Sequence, residues 1–246
     1  MNSIVSTDWL QENLDAVRVV DIRGHVLPAS EPPPHYFSHH DDYKESHIPG
    51  AVFVDWTSDI TDSDSPNGTQ IAQPDAYAAL MSRLGIGEST QVVIYDDANG
   101  MFAARLWWSL RYYGHEQAAI LAGGWQKWVA EGRLVTAALP QISPATFTPR
   151  LNESLRYDID AVEASLNSAV RLLDVRSLGE FSGEASRANR AGHIPGALNL
   201  PGKTLLNADG TLMDADALRS EFASVGLDDP SAEVVVYCNA GVSASL

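Results

Sequence analysis

Cys238 is the only cysteine of the sequence, and it opens a loop of small residues directly after the β-branched run 233–237. The loop consists of Asn239, Ala240, Gly241, Val242, Ser243 and Ala244, followed by Ser245. Backbone N–H groups in such a loop can converge on an anion and stabilise a thiolate, and the two serine hydroxyls can add donors. The pattern therefore predicts a cradle in which Cys238 acts as a nucleophile.

A cysteine at the end of a strand can also be a small buried hydrophobic residue. An internal repeat favours the nucleophile. Three pairs of segments recur in the same order: 18–23 with 171–176, 46–51 with 192–197, and 92–96 with 234–238. This order indicates two copies of one fold. Asp96 stands in the first copy where Cys238 stands in the second, so we expect one working site and one inactive site.

The segments around these motifs have the sequence pattern of alternating strands and helices. We expect strands over 17–22, 91–95, 171–175 and 233–237. We expect helices over 74–84, 101–113 and 214–225, each followed by a glycine that can adopt a left-handed cap. The sequence predicts an α/β protein in which each copy has a mostly parallel sheet with helices on both faces. Ligands bind such sheets beyond the carboxyl ends of the strands, where Cys238 lies.

The domain boundaries follow from the repeat and from one irregular stretch. We expect an N-terminal domain over residues 1–133 and a C-terminal domain over residues 156–246. The stretch 134–155 contains three prolines and little periodicity, so it is predicted to be the linker. The chain stops eight residues after Cys238, and the second domain is expected to be truncated.

Composition excludes several classes of protein. The 246 residues are 45% hydrophobic and 20% charged, which excludes a disordered chain. The formal net charge of −16 makes nucleic acid and anionic membrane surfaces poor partners. One cysteine permits neither an intrachain disulfide nor a multi-cysteine metal site. With no long apolar run and no secretion signal, a cytoplasmic protein is expected.

The motifs together resemble a known family. Asp174 and Arg176, the GHIPGA segment 192–197 and the Cys-x-x-Gly-Val-Ser-Ala segment 238–244, in that order, resemble the rhodanese domain. The duplication resembles the tandem sulfurtransferases that use thiosulfate or 3-mercaptopyruvate. The first half, with Asp96, is similar to their inactive N-terminal domain.

This resemblance implies a two-step reaction that needs no metal or organic cofactor. Cys238 would take the outer sulfur of a small anionic donor and become a persulfide. Cyanide or a thiol, including that of a thioredoxin-like protein, would then remove the sulfur. Ping-pong kinetics would follow.

The substrate-binding positions depart from the family pattern. Glu180 stands where an Arg-[Phe/Tyr]-x-Gly motif has its arginine, and it would repel an anion if it faced the site. The resemblance implies that Arg187 binds the donor, as in the mercaptopyruvate branch, although a surface arginine near Glu184 is the alternative. The loop lacks Lys and Arg, which is closer to the mercaptopyruvate type, but residues 62–76 lack that branch's histidine.

The remaining motif residues are expected to be structural, and two other functions stay open. Asp174 and Arg176 are expected to form an ion pair beneath the site, and His193 to fix the turn before Pro195. A phosphatase or arsenate reductase would need an arginine six residues after the cysteine, where this chain has Ala244. A non-catalytic binding module is the other alternative.

Overall fold

The first half of the chain is built around buried strands that end at the repeated motifs. The computed structural model describes residues 2–28, 31–62, 64–65 and 69–246. The strands of this half are β1 (Ile4–Val5), β2 (Arg18–Asp21), β3 (Gly24–Val26), β4 (Tyr36–Ser38), β5 (Val52–Phe53), β6 (Val92–Tyr95) and β7 (Ala118–Leu121). Its helices are α1 (Thr7–Asn13), α2 (His40–Glu45), α3 (Pro74–Arg83), α4 (Met101–Tyr112) and α5 (Gly124–Ala130).

The five-stranded sheet of this half is parallel, in the order β1-β7-β6-β2-β5. Successive side chains of each strand point to opposite faces of the sheet, and both faces are buried. In β6, Val92 and Ile94 pack into one hydrophobic cluster, whereas Val93 and Tyr95 pack into the other. The prediction of a parallel sheet covered on both faces is confirmed. Strands β3 and β4 form a separate antiparallel hairpin.

The second half repeats the central part of this arrangement with a smaller sheet. Its strands are β8 (Arg171–Asp174), β9 (Leu198–Asn199) and β10 (Val234–Tyr237), and its helices are α6 (Ile159–Ser165), α7 (Leu178–Ser182) and α8 (Ala215–Ser224). The strands are parallel in the order β10-β8-β9. Short 3₁₀ turns lie at Glu153–Leu155, Gly202–Leu205 and Ser243–Ser245.

The two halves share atomic detail as well as topology. Asp21 is paired in register with Tyr95 in the first sheet, and Asp174 with Tyr237 in the second. The hydroxyl of Tyr95 accepts the N–H of Ile48, and the hydroxyl of Tyr237 accepts the N–H of Ile194 at 3.1 Å. The repeated motifs therefore form the same strand ends and turns in both halves.

The predicted helices are present with small differences at their ends. Helix α3 begins at Pro74 as expected, and Gly85 follows it with a positive φ of 71°. Helix α8 begins one residue later than predicted, because Asp214 is its N-cap and accepts the N–H groups of Asp216 and Ala217.

The stretch 134–155 lies against the first half. Its backbone N–H groups at Ala145 and Arg150 donate to Ser82 and Tyr113, and Phe147 is buried in the first hydrophobic cluster. The irregular connection is therefore held in place by the first half. None of the described helices has the length and apolar character needed to cross a membrane.

Candidate active site

Cys238 lies directly beyond the carboxyl end of β10, the position at which parallel sheets bind ligands. The thiol is partly exposed. The following loop turns at Gly241, which has a positive φ of 66°, and ends in the 3₁₀ turn Ser243–Ser245. An L side chain is disfavoured at that φ, so the glycine permits the turn.

In the matching loop of the first half, backbone N–H groups converge on the carboxylate of the loop's own Asp96. The buried carboxylate of Asp96 accepts four backbone N–H groups at 2.7–2.9 Å, from Ala98, Gly100, Phe102 and Ala103. Burial raises the pKa of Asp96, and these hydrogen bonds act in the opposite direction. This strand-to-helix loop thus supplies converging N–H groups, as expected of an anion-binding nest.

The two serine hydroxyls of the Cys238 loop donate to other acceptors in this structure, and their contribution of donors to an anion at Cys238 stays a prediction. Ser243 donates to the sulfur of Met101 at 3.2 Å, and Ser245 donates to the carbonyl of Gly241 at 2.7 Å. The 3₁₀ turn directs these side chains toward helix α4 and back onto the loop. They stabilise the loop conformation.

A cavity of about 550 Å³ between the two halves has Cys238 in its wall. Asn239, Ala240, Val242 and Ser243 line the same cavity, together with Arg187. Gly241 and Ala244 line a second cavity, about 570 Å³, on the other side of the loop. The predicted site residues therefore lie close together, but the loop that follows Cys238 separates the two cavities that they line.

Glu180 does face this cavity, but its charge is engaged. Its carboxylate accepts the amide N–H of Asn239 at 2.7 Å and hydrogen-bonds to Ser177 in a capping box. Burial acts to raise the pKa of Glu180, but the hydrogen bonds from Asn239 and Ser177 outweigh it, and the pKa is lowered. Glu180 thus anchors the residue next to Cys238.

Arg187 lies at the junction of the halves rather than on the open surface. Its side chain is 16% exposed, and Nη2 donates to the carbonyl of Leu27 in the first half. Nε lies 3.8 Å from Glu180. Nη1 is buried without a hydrogen-bond partner among the described residues. A buried guanidinium N–H without a partner is available for an anionic ligand.

The residues expected to be structural have that role. Arg176 forms an ion pair with the buried Asp174 at 2.6 Å and donates to the carbonyl of Gly192 at 2.8 Å, which confirms the predicted pair. The ring of His193 stacks on Phe181 and hydrogen-bonds to its carbonyl at 2.8 Å. These contacts hold the GHIPGA turn against α7.

The first half contributes a chain of polar side chains that the sequence did not predict. Nδ1 of His39 lies 2.6 Å from the carboxylate of Asp97, and Nε2 of His39 lies 2.7 Å from Nδ1 of His25. All three residues line the cavity that contains Cys238. Within the described ranges, no group of three or more such side chains is arranged to hold a metal ion.

A second missed residue is Arg105 of helix α4. It is 7% exposed and donates to the carbonyl of Gly241 at 3.3 Å. A single arginine within the apolar segment 102–108 was the signal that could have pointed to it.

The sequence profile of the rhodanese-like domain matches residues 6–131 and 158–246. The chain belongs to the rhodanese family. The two matched ranges and the α/β fold make it a tandem-domain rhodanese sulfurtransferase.

Curated relatives of this rhodanese cover nearly its whole length. The sulfur carrier protein TtuD of Thermus thermophilus is 37% identical over 250 residues, covering 96% of this chain and 81% of the relative. The thiosulfate sulfurtransferase of Gallus gallus is 35% identical over 247 residues, covering 98% and 84%. The crystal structure of SseA from Escherichia coli, a 3-mercaptopyruvate sulfotransferase, has a TM-score of 0.85 at 30% identity, and the match covers 100% of this chain and 91% of that one.

Proposed function

We propose that this protein transfers sulfane sulfur from thiosulfate or 3-mercaptopyruvate to cyanide or a thiol through a persulfide on Cys238. The observation that carries the proposal is that Cys238 and Arg187 share the cavity between the halves. A nucleophile and a guanidinium with a free N–H are what a small anionic sulfur donor requires.

The first step transfers one sulfur atom to the thiolate. The Sγ thiolate of Cys238 attacks the outer sulfur of thiosulfate, a new S–S bond forms, and the S–S bond of thiosulfate breaks as sulfite leaves with the electron pair. With 3-mercaptopyruvate the C–S bond breaks instead. Pyruvate leaves as its enolate, and the carbon that carried the sulfur then takes up a proton.

The second step regenerates the enzyme. Cyanide carbon or a thiolate sulfur attacks the outer sulfur of the persulfide, and the Cys238 thiolate leaves. A protein thiol is included among the acceptors because the relative TtuD is a sulfur carrier. Reducing compartments keep thiols free, so we propose the cytoplasm as the location.

Intact-protein mass spectrometry tests the proposal directly. Each donor alone should add the mass of one sulfur atom, and cyanide should remove it. Because Cys238 is the only cysteine, the added sulfur has one candidate thiol. A folded protein that gains no sulfur from either donor would contradict sulfur transfer and favour a non-catalytic binding module.

Arg187 is proposed to bind the charged group of the donor through Nη1. Replacing it with glutamine should raise KM for both donors about 10- to 100-fold, since a hydrogen bond to a charged group contributes about 1.5–3 kcal/mol. Steady-state kinetics with each donor measures this effect. Arg190→Gln is the matched control, because Arg190 is exposed in the same loop. An unchanged KM in the Arg187 variant would remove Arg187 from the donor site.

The linked side chains of Asp97, His39 and His25 are proposed to supply the proton to the pyruvate carbon, since Nε2 of His25 has no hydrogen-bond partner among the described residues. His39→Gln should lower kcat for 3-mercaptopyruvate about 100-fold, the typical effect of a lost general acid. It should leave thiosulfate turnover unchanged, because sulfite leaves without protonation.

Turnover numbers with the two donors distinguish this role from a structural one. His40→Gln is the control, because exposed His40 is the next residue and stacks on Phe53 outside the chain. Equal losses with both donors would mean that His39 only maintains the cavity.

A further inference from the structure

Arg105 carries a positive charge from the first half to the loop that follows Cys238. Besides its hydrogen bond to Gly241, Nη2 donates to the carbonyl of Thr69 at 3.1 Å. The guanidinium also lies over the ring of Trp108, 5.1 Å from the centroid. A Cβ atom on Gly241 would lie 2.8 Å from Nη1, so the glycine also makes room for the arginine.

The buried charge of Arg105 lacks a carboxylate partner among the described residues. Both of its hydrogen-bond acceptors are neutral carbonyl groups. Burial lowers the pKa of Arg105 to about 10, and negative charge on Cys238 acts in the opposite direction. A buried cation without an anion costs several kcal/mol, so such a charge needs a compensating one nearby.

Apart from Nη1 of Arg187, which has no hydrogen-bond partner among the described residues, the other charged or titratable groups around Cys238 have different partners or are solvated. On the side of the first cavity these groups are His25, His39, Asp97, Glu180, Arg187 and Lys203, with the paired Arg176. On the side of the second cavity they are Arg105, Arg156, Tyr157, Glu233 and Tyr237. Tyr157 donates to Glu233, and Arg156 is exposed. Arg105 is thus the buried cation on the second side.

We propose that Arg105 is a positioning residue for Cys238: the half without the nucleophile supplies the counter-charge that keeps Cys238 a thiolate and then a persulfide anion. The inference rests on the proposed function only in that sulfur transfer makes use of the thiolate. It explains how a loop with no Lys or Arg after Cys238 holds an anion.

The ionisation of the single thiol can be measured without any sulfur donor. The rate of alkylation by iodoacetamide is followed against pH in the 246-residue protein, and its midpoint reports thiolate formation. Arg105→Gln keeps hydrogen-bonding capacity without charge and should raise this midpoint by about one pH unit. At a pH below both midpoints the thiolate fraction falls about tenfold. Arg105→Lys keeps the charge and should keep the midpoint.

Arg111→Gln is the matched control, because Arg111 lies on the same helix and stacks on Trp107 with its centroid 5.0 Å away. An unchanged midpoint in Arg105→Gln, or an equal rise in Arg105→Lys, would overturn the proposal. So would a wild-type midpoint at or above about 8.5, the value of a free thiol, which requires no variant to fold. If Arg105→Gln shifts the alkylation midpoint but the wild-type protein accepts no sulfur, the proposed function is rejected and the role of Arg105 stands.

Discussion

Cys238→Ser is expected to reduce sulfur transfer to the uncatalysed background with both thiosulfate and 3-mercaptopyruvate. A serine hydroxyl is not ionised near neutral pH and cannot form the S–S bond of a persulfide. Its similar size leaves the loop geometry and the contacts of Gly241 in place. Thiocyanate formation from cyanide measures turnover, and intact mass measures the loss of the sulfur adduct.

Cys238→Ser should lose sulfur transfer but keep donor binding, so both are measured in the same variant. Donor affinity, measured by calorimetry, should stay close to that of the wild type, because Arg187 is untouched. Tryptophan fluorescence and thermal unfolding serve as controls for folding. Sulfur transfer that survives in Cys238→Ser would exclude Cys238 as the nucleophile. A wild-type protein without turnover, whose partner binding is the same in the serine variant, would support the binding module.

Asp96→Ala is expected to lower the free energy of unfolding of the first half by about 3–5 kcal/mol, since burial leaves the freed N–H donors unsatisfied. The wild-type carboxylate holds the loop that leads into α4, and Arg105 is carried by the same helix. Asp96, at the position of the inactive site, is therefore predicted to maintain the fold as a structural carboxylate.

Urea denaturation followed by tryptophan fluorescence measures this loss. All six tryptophans lie in the first half: Trp9, Trp56, Trp107, Trp108, Trp125 and Trp128. Their signal reports the half that contains Asp96. Asp75→Ala is the matched control, because Asp75 is an exposed carboxylate in the first turn of α3 and should change stability by less than about 0.5 kcal/mol. Equal stability of the two variants would show that the four N–H groups find other partners.

The sequence was sufficient for the fold class and for the four central strands, because their signals are local. The runs before Asp21, Tyr95, Asp174 and Tyr237 form parallel strands where β-branched residues predict them. Pro74 begins a helix, and the glycines after α3, α4 and α8 have positive φ. Periodicity and caps are encoded within a few residues, so they can be read before any tertiary contact is known.

The sequence also placed Cys238 at the candidate site, since the end of a parallel strand is a ligand-binding position in any such sheet. It was less informative about the side chains around Cys238. The sequence left open whether Glu180 faces the site, and the structure places it in the cavity wall with its carboxylate accepting the amide N–H of Asn239. Ser243 and Ser245 were expected to add donors for an anion, and in the structure their hydroxyls donate to Met101 and Gly241.

Only the packing of the two halves brought the first half into the candidate site. Arg105 and Gly241 are 136 positions apart in the chain, but Nη1 of Arg105 lies 3.3 Å from the carbonyl oxygen of Gly241. His25 reaches the cavity from a hairpin that has no counterpart among the repeated motifs. Such contacts depend on how two separately folded sheets meet, and no local periodicity records that arrangement. The repeat therefore revealed where the chemistry lies, and tertiary structure alone decided which charges surround it.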